Sequence, residues 1–110
     1  LVKITPEKEL SIFYAMPVHP GTKRSGPMGL DFGPDGNLYV ADNQYFYDDD
    51  HASRLVRIVM EDGEPVRSEV AVKGFNLANA VKWNGNSVYV TETFLNVPGK
   101  TGMGQFTGFR

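Results

Sequence analysis

The side chains in this sequence that could do chemistry gather in a few loops. Asp48-Asp49-Asp50-His51 is the densest acidic cluster. Adjacent carboxylates repel one another, and a bound cation would relieve that repulsion. The cluster lacks the spaced Asp-x-Asp-x-Asp-Gly pattern of a calcium loop, so a solvated loop is the expectation. His19 and His51 are the only histidines. An imidazole titrates near neutrality and can carry a proton. No Ser or Asp at a recognisable spacing completes a triad, so both are expected to be surface or loop residues. Pro98-Gly99-Lys100-Thr101-Gly102 resembles a phosphate-binding loop in passing. That motif needs a glycine five residues before Gly99, where Phe94 stands, and a helix after it. Gln105-Phe106-Thr107 reads instead as strand. The segment is therefore expected to be a rim loop from which Lys100 can reach a ligand. Asp42 and Glu92 end equivalent strands and are expected to cap the turns that follow them.

The elements that must position these residues are short strands and tight turns. Pro27 to Asn43 reads as a hairpin: Leu30 and Phe32 alternate with Asp31, and Leu38-Tyr39-Val40 is rich in strand formers. Pro34-Asp35-Gly36-Asn37 between them is turn chemistry. The unit returns over Ala78 to Thr93. Leu30 matches Val81 and Phe32 matches Trp83 at an offset of 51, and Tyr39-Val40 matches Tyr89-Val90 at an offset of 50. The offset drops by one across the turn because Asn84-Gly85 marks a shorter hairpin. Leu1-Val-Lys-Ile4 resembles Leu55-Val-Arg-Ile58, and Phe106 to Arg110 stands in the corresponding place after the second hairpin. Leu10 to Met16 and Val66 to Val72 are further alternating runs. Gly74 to Ala78 is expected to cross to the next unit, and Phe94 to Gln105 to be a glycine-rich insertion.

Four short antiparallel strands per unit are the pattern of a β-propeller blade, and a period of roughly 40–50 residues fits such blades. The expected fold is all-β, a fragment of a propeller built of four-stranded antiparallel blades. Residues 1–16 end one blade, 27–73 form a full blade, and 78–110 form most of a further one. The other reading is a small closed β domain containing two similar hairpins. Leu30, Phe32, Leu38, Val40, Val56, Ile58, Val81, Trp83, Val88 and Val90 are expected to be buried between blades. Two blades cannot close a ring. The remaining blades are expected from the parent chain or from other copies of this one.

The totals exclude some partners. A net charge of −2 over 110 residues gives no basic face for nucleic acid. No apolar run approaches the roughly 20 residues of a membrane span. The chain has no cysteine, so disulfides and thiolate metal sites are excluded; this leaves the compartment open.

Pro-x-Gly-Leu-x-Phe-x-Pro-Asp-Gly-Asn-Leu-Tyr-Val-Ala-Asp and Ala-Asn-Ala-Val-x-Trp, with Val-Tyr-Val-Thr-Glu-Thr, resemble the repeats of the SMP-30/gluconolactonase-like six-bladed propellers. That group includes regucalcin-type lactonases and diisopropylfluorophosphatase. The resemblance covers most of the chain at the level of repeats, which NHL and strictosidine-synthase-like propellers share. It implies a divalent cation, calcium in most members, in a central channel, held by one Glu, two Asn and one Asp. The Asn and Asp ligands open innermost strands, one residue before the Gly of the repeat. Asn79, before Ala80, falls on such a position and is the one implied metal ligand. Its equivalent in the first hairpin is Met28, a poor calcium ligand, which is expected to line the channel. The implied activity is hydrolysis of a lactone or similar small-molecule ester, with the general base not visible. A non-catalytic NHL-like binding module and a propeller oxidoreductase with a quinone cofactor are the alternatives. Function sits in sites grafted on folds, so the residues must decide.

Overall fold

Alternating apolar residues and turn chemistry do give short antiparallel strands. The structure, a computed structural model, describes residues 1–20, 22–44 and 52–93, and the backbone of 104–109. Asp48, Asp49, Asp50, His51 and Lys100 lie outside the described residues. All regular structure among the described residues is strand: β1 (Val2–Ile4), β2 (Leu10–Ile12), β3 (Pro27–Phe32), β4 (Leu38–Asp42), β5 (Ser53–Glu61), β6 (Glu64–Phe75), β7 (Val81–Asn84), β8 (Ser87–Thr93) and β9 (Gly104–Phe109). They form a two-stranded sheet β1-β2, a four-stranded sheet β3-β4-β5-β6 and a three-stranded sheet β7-β8-β9. Every pairing is antiparallel between strands consecutive in sequence. The fold is all-β, as expected.

Several boundaries differ from the sequence reading. β2 stops at Ile12, although the Phe13 N–H still bonds the Leu1 carbonyl at 3.0 Å. β6 runs on through Gly74 to Phe75, so the crossing to β7 begins later than expected. The β5–β6 hairpin turns on Asp62-Gly63, with φ of 51° and 80°. Positive φ at both positions is the twist-matched two-residue turn for which Asp-Gly is suited.

The four-stranded sheet has two apolar faces. Tyr39, Ala41 and Leu55 point to one, where they form a core with Val81, Val88 and Val90 of the three-stranded sheet and with Phe75 and Ala78. Leu38, Val40 and Ile58 point to the other, covered by Leu1, Phe13, Tyr14 and Met16 around the β1–β2 sheet. Leu38, Val40, Val56, Ile58, Val81, Val88 and Val90 are buried as expected. Leu30 and Phe32 are not: they are 50% and 53% exposed. They sit on the Val40–Leu38 face, as their register partners show, and among the described residues the β1–β2 layer covers only the outer part of that face. Trp83 is half-buried, its ring edge-on to Tyr39 with centroids 4.9 Å apart.

The two larger sheets meet through backbone. A Cβ placed on Gly29 would stand 2.5 Å from the Asn79 carbonyl oxygen and 2.7 Å from Ala80 Cα. Only the absence of a side chain permits this approach. Two residues on, the Asp31 carboxylate accepts the Trp83 backbone N–H at 2.8 Å. Gly29→Ala must push the sheets apart or bend β3, and such overpacking costs on the order of 1–3 kcal/mol. Urea unfolding of the Gly29→Ala variant should show a lowered midpoint with an unchanged slope.

The turn end of β4 carries a charged network. The Tyr39 hydroxyl donates to Asp35 Oδ2 at 2.7 Å, and Asn37 donates twice to the same carboxylate. Arg57, 3.8 Å from Asp35, also bonds Glu69. Partial burial pushes the Asp35 pKa up, but the hydrogen bonds from Tyr39 and Asn37 together outweigh it and the net shift is downward. A lowered folded-state pKa contributes stability that is complete above the ordinary carboxylate value and lost as pH falls through the folded value. The group is well solvated, so the effect is small. The stability difference between the wild-type chain and Asp35→Asn should therefore be present at neutral pH and shrink below about pH 4 in urea titrations.

Candidate functional site

The opposite end of the sheets gathers polar side chains. The segments entering β3 and β7 and the residues leaving β4 and β8 all lie at this end. Asp42 and Glu92 are the last acidic residues of β4 and β8 and are 1% and 7% exposed. Asp42 Oδ1 accepts the Gly26 backbone N–H at 2.7 Å and the Gln44 amide at 2.6 Å. Glu92 Oε1 accepts the Asn76 backbone N–H at 2.8 Å. Both carboxylates thus bond backbone ahead of the first strand of their own sheet, and Asp42 also holds the Gln44 amide in the turn that follows it. They hold the entries to β3 and β7 in place.

Asn79 stands where β7 is entered, half-buried. Its backbone N–H bonds the Thr91 carbonyl at 3.0 Å, which anchors it to β8. Its side-chain amide is held on both sides: Nδ2 donates to Thr93 Oγ1 at 2.8 Å, and Oδ1 accepts from Asn43 Nδ2 at 3.0 Å. Asn43 Nδ2 also donates to the Ala78 carbonyl at 2.7 Å. Ser53 ties the same corner, donating to the Asn43 carbonyl and accepting the Ala78 N–H at 3.1 Å. Asn43 directly follows β4 of the four-stranded sheet and Asn79 leads into β7 of the three-stranded one, so the pair crosses the interface. The backbone here is locally strained. Gln44 and Leu77 hold φ of 58° and 51°, a region that costs L side chains energy and persists only where its surroundings enforce it. Both are buried.

Met28 occupies the equivalent place on β3 and is 64% exposed. The β3–β4 register shifts between Pro27 and Leu30, so Met28 and Gly29 form a bulge, a device that re-aims side chains at strand ends. His19 lies in the loop between β2 and β3, as expected, but is buried there. Its Nε2 lies 3.3 Å from Ser68 Oγ, which also accepts the Tyr14 hydroxyl at 3.0 Å.

The calcium expectation can be weighed against these donors. Calcium takes about six to eight oxygen ligands. Asn79 Oδ1 accepts one hydrogen bond, and an amide oxygen has two lone pairs, so it retains capacity for a further partner. Met28 offers no oxygen. No group of three or more His, Asp or Glu placed to hold a metal occurs among the described residues. These residues therefore supply one corner of such a site and do not form one by themselves.

Asn43 escaped the sequence reading. The offset of 50 that relates Asp42 to Glu92 also relates Asn43 to Thr93, so a second polar position at each strand end was visible as a pattern. Comparison with protein-family models, curated proteins and solved structures finds no match for this chain.

The Asn43–Asn79 bond makes a measurable prediction. Each single Ala substitution should destabilise the chain by about 1 kcal/mol, the usual net worth of a hydrogen bond. The double variant should lose less than the sum of the two in urea unfolding, because the residues share one interaction.

Proposed function

We propose that this chain is part of a metal-dependent, lactonase- or esterase-like propeller hydrolase in which Asn79 supplies one oxygen ligand to a calcium ion. The observation that supports the reading is the state of the Asn79 amide. It sits at the entry to the innermost strand β7, is fixed in orientation by Thr93 and Asn43, and keeps one acceptor position on Oδ1. Pre-set orientation is what a ligand to a hard cation requires. Met28, exposed beside it, would line the same channel, and Lys100 would reach it from the rim. The remaining oxygen ligands and the general base would come from blades outside these residues. A bound divalent cation would polarise the carbonyl oxygen of a small lactone or ester. The residues of this chain would hold and orient the group, with Asp42 and Glu92 bracing the entries to β3 and β7.

A second reading has its own observation. The Asn79 amide joins the two sheets through Asn43, and that bond suffices as a reason for an Asn there. On that basis the propeller would be a non-catalytic module binding through this polar end.

The two readings separate in calcium calorimetry and ester-hydrolysis assays on the complete propeller. The hydrolase reading expects Asn79→Ala to weaken calcium binding by tenfold or more and lower turnover in parallel, while Asn79→Asp, which keeps an oxygen ligand, retains binding. Unchanged calcium affinity in Asn79→Ala would remove Asn79 from any metal site and leave the binding-module reading.

A further inference from the structure

The Leu38–Val40 face of the four-stranded sheet is half covered. A groove of about 510 Å³ lies along it, lined by Leu1, Val2, Phe13, Leu30, Phe32 and Met60 among others. Its outer wall is formed by residues flanking the β1–β2 pair, of which Leu1, Phe13, Tyr14 and Met16 are already seated on Leu38, Val40 and Ile58. Its floor includes Leu30 and Phe32, the two half-exposed residues of innermost strand β3. One side of the groove is strand β1, which among the described residues pairs only with β2 and so presents an unpaired edge.

The opposite face of the same sheet shows what covers an innermost strand in this architecture. There the β7–β8 hairpin lies over Tyr39 and Ala41, presenting Val81, Val88 and Val90 as a buried apolar stripe. The groove has the same requirements on its side: an apolar floor at β3, an outer layer already in place, and an open edge able to accept a strand.

Resting on the propeller reading above, we infer that this groove is the seat of a further antiparallel β-hairpin of the β7–β8 kind, supplied by a separate repeat of the propeller. The hairpin's inner strand lies over Leu30 and Phe32, and its outer strand hydrogen-bonds along the free edge of Val2–Ile4. The β1–β2 pair then becomes the outer half of a four-stranded blade. Strand addition to an open edge supplies affinity through backbone hydrogen bonds, and alternate side chains supply specificity. Continuity with the β1–β2 layer supports this occupant, since the inserted strands would extend an interface that already exists. A second copy of residues 1–110 fits poorly. Each of its hairpins, β3–β4 and β7–β8, is already joined to a third strand and cannot enter as a pair.

The test joins a second copy of residues 80–91, the β7–β8 hairpin, to Leu1 through a short Gly/Ser loop and compares it with the unextended chain. The expected results are a higher urea midpoint, slowed amide exchange at Val2, Lys3 and Ile4, and loss of both gains when Phe32→Glu is introduced into the fusion. Phe32→Glu in the unextended chain serves as the folding control, because Phe32 is half-exposed there and its replacement should shift the midpoint little. An unchanged midpoint with unprotected β1 amides would overturn the inference. So would a concentration-dependent dimer of the unextended chain that Phe32→Glu dissolves, since a second copy would then occupy the groove. Neither result involves calcium or Asn79, so failure here is distinguishable from failure of the hydrolase reading.

Discussion

The bare backbone of Gly29 against the Asn79–Ala80 peptide is the contact on which the other cross-sheet interactions depend. With no side chain between them, β3 and β7 come close enough for backbone and short side chains to bond directly. Asp31 then reaches the Trp83 N–H, and Asn43 reaches both Ala78 and Asn79. The apolar core between the sheets closes behind these bonds, with Tyr39 and Trp83 in edge-to-face contact. Such rings add about 0.5–1.5 kcal/mol beyond their burial. A larger residue at position 29 would disturb the polar end and the core together.

The two ends of the sheets differ in kind. At the β3–β4 turn, Asp35, Arg57 and Glu69 form a solvated charged network whose worth is modest and pH-dependent. At the other end the carboxylates of Asp42 and Glu92 are buried and spent on backbone amides. What the described residues offer a ligand there is the amide oxygen of Asn79, which keeps one acceptor position. This is why a metal at that end would need acidic residues from elsewhere, and why Asn79 carries the functional proposal alone.

Much of the strand plan was legible because a strand's signal is local. Alternation at Leu30-Asp31-Phe32 and turn chemistry at Pro34 to Asn37 and at Asn84-Gly85 set two of the hairpins and their register. What covers each face was not legible. Alternation shows that Leu30 and Phe32 share a face with Leu38 and Val40, but not that the outer pair is covered and the inner pair is open. The direction in which Asp42 and Glu92 bond, and the pairing of Asn43 with Asn79, depend on residues far apart in sequence. Asn79 itself entered through a resemblance to a repeat, and its hydrogen bonds give it a structural reason to be there that no pattern could show.

The side-by-side packing of β3 and β7 is the central claim, and it can be read from one cross-peak. In a carbon-edited NOESY spectrum of the 110-residue chain, the Gly29 Hα protons should show a strong NOE to Ala80 Hα, because Ala80 Cα lies only 2.7 Å from where a Gly29 Cβ would stand. Well-resolved Gly29 and Ala80 resonances with no cross-peak between them would mean that the two sheets do not meet through this contact, and the account of both the interface and the polar end would fail.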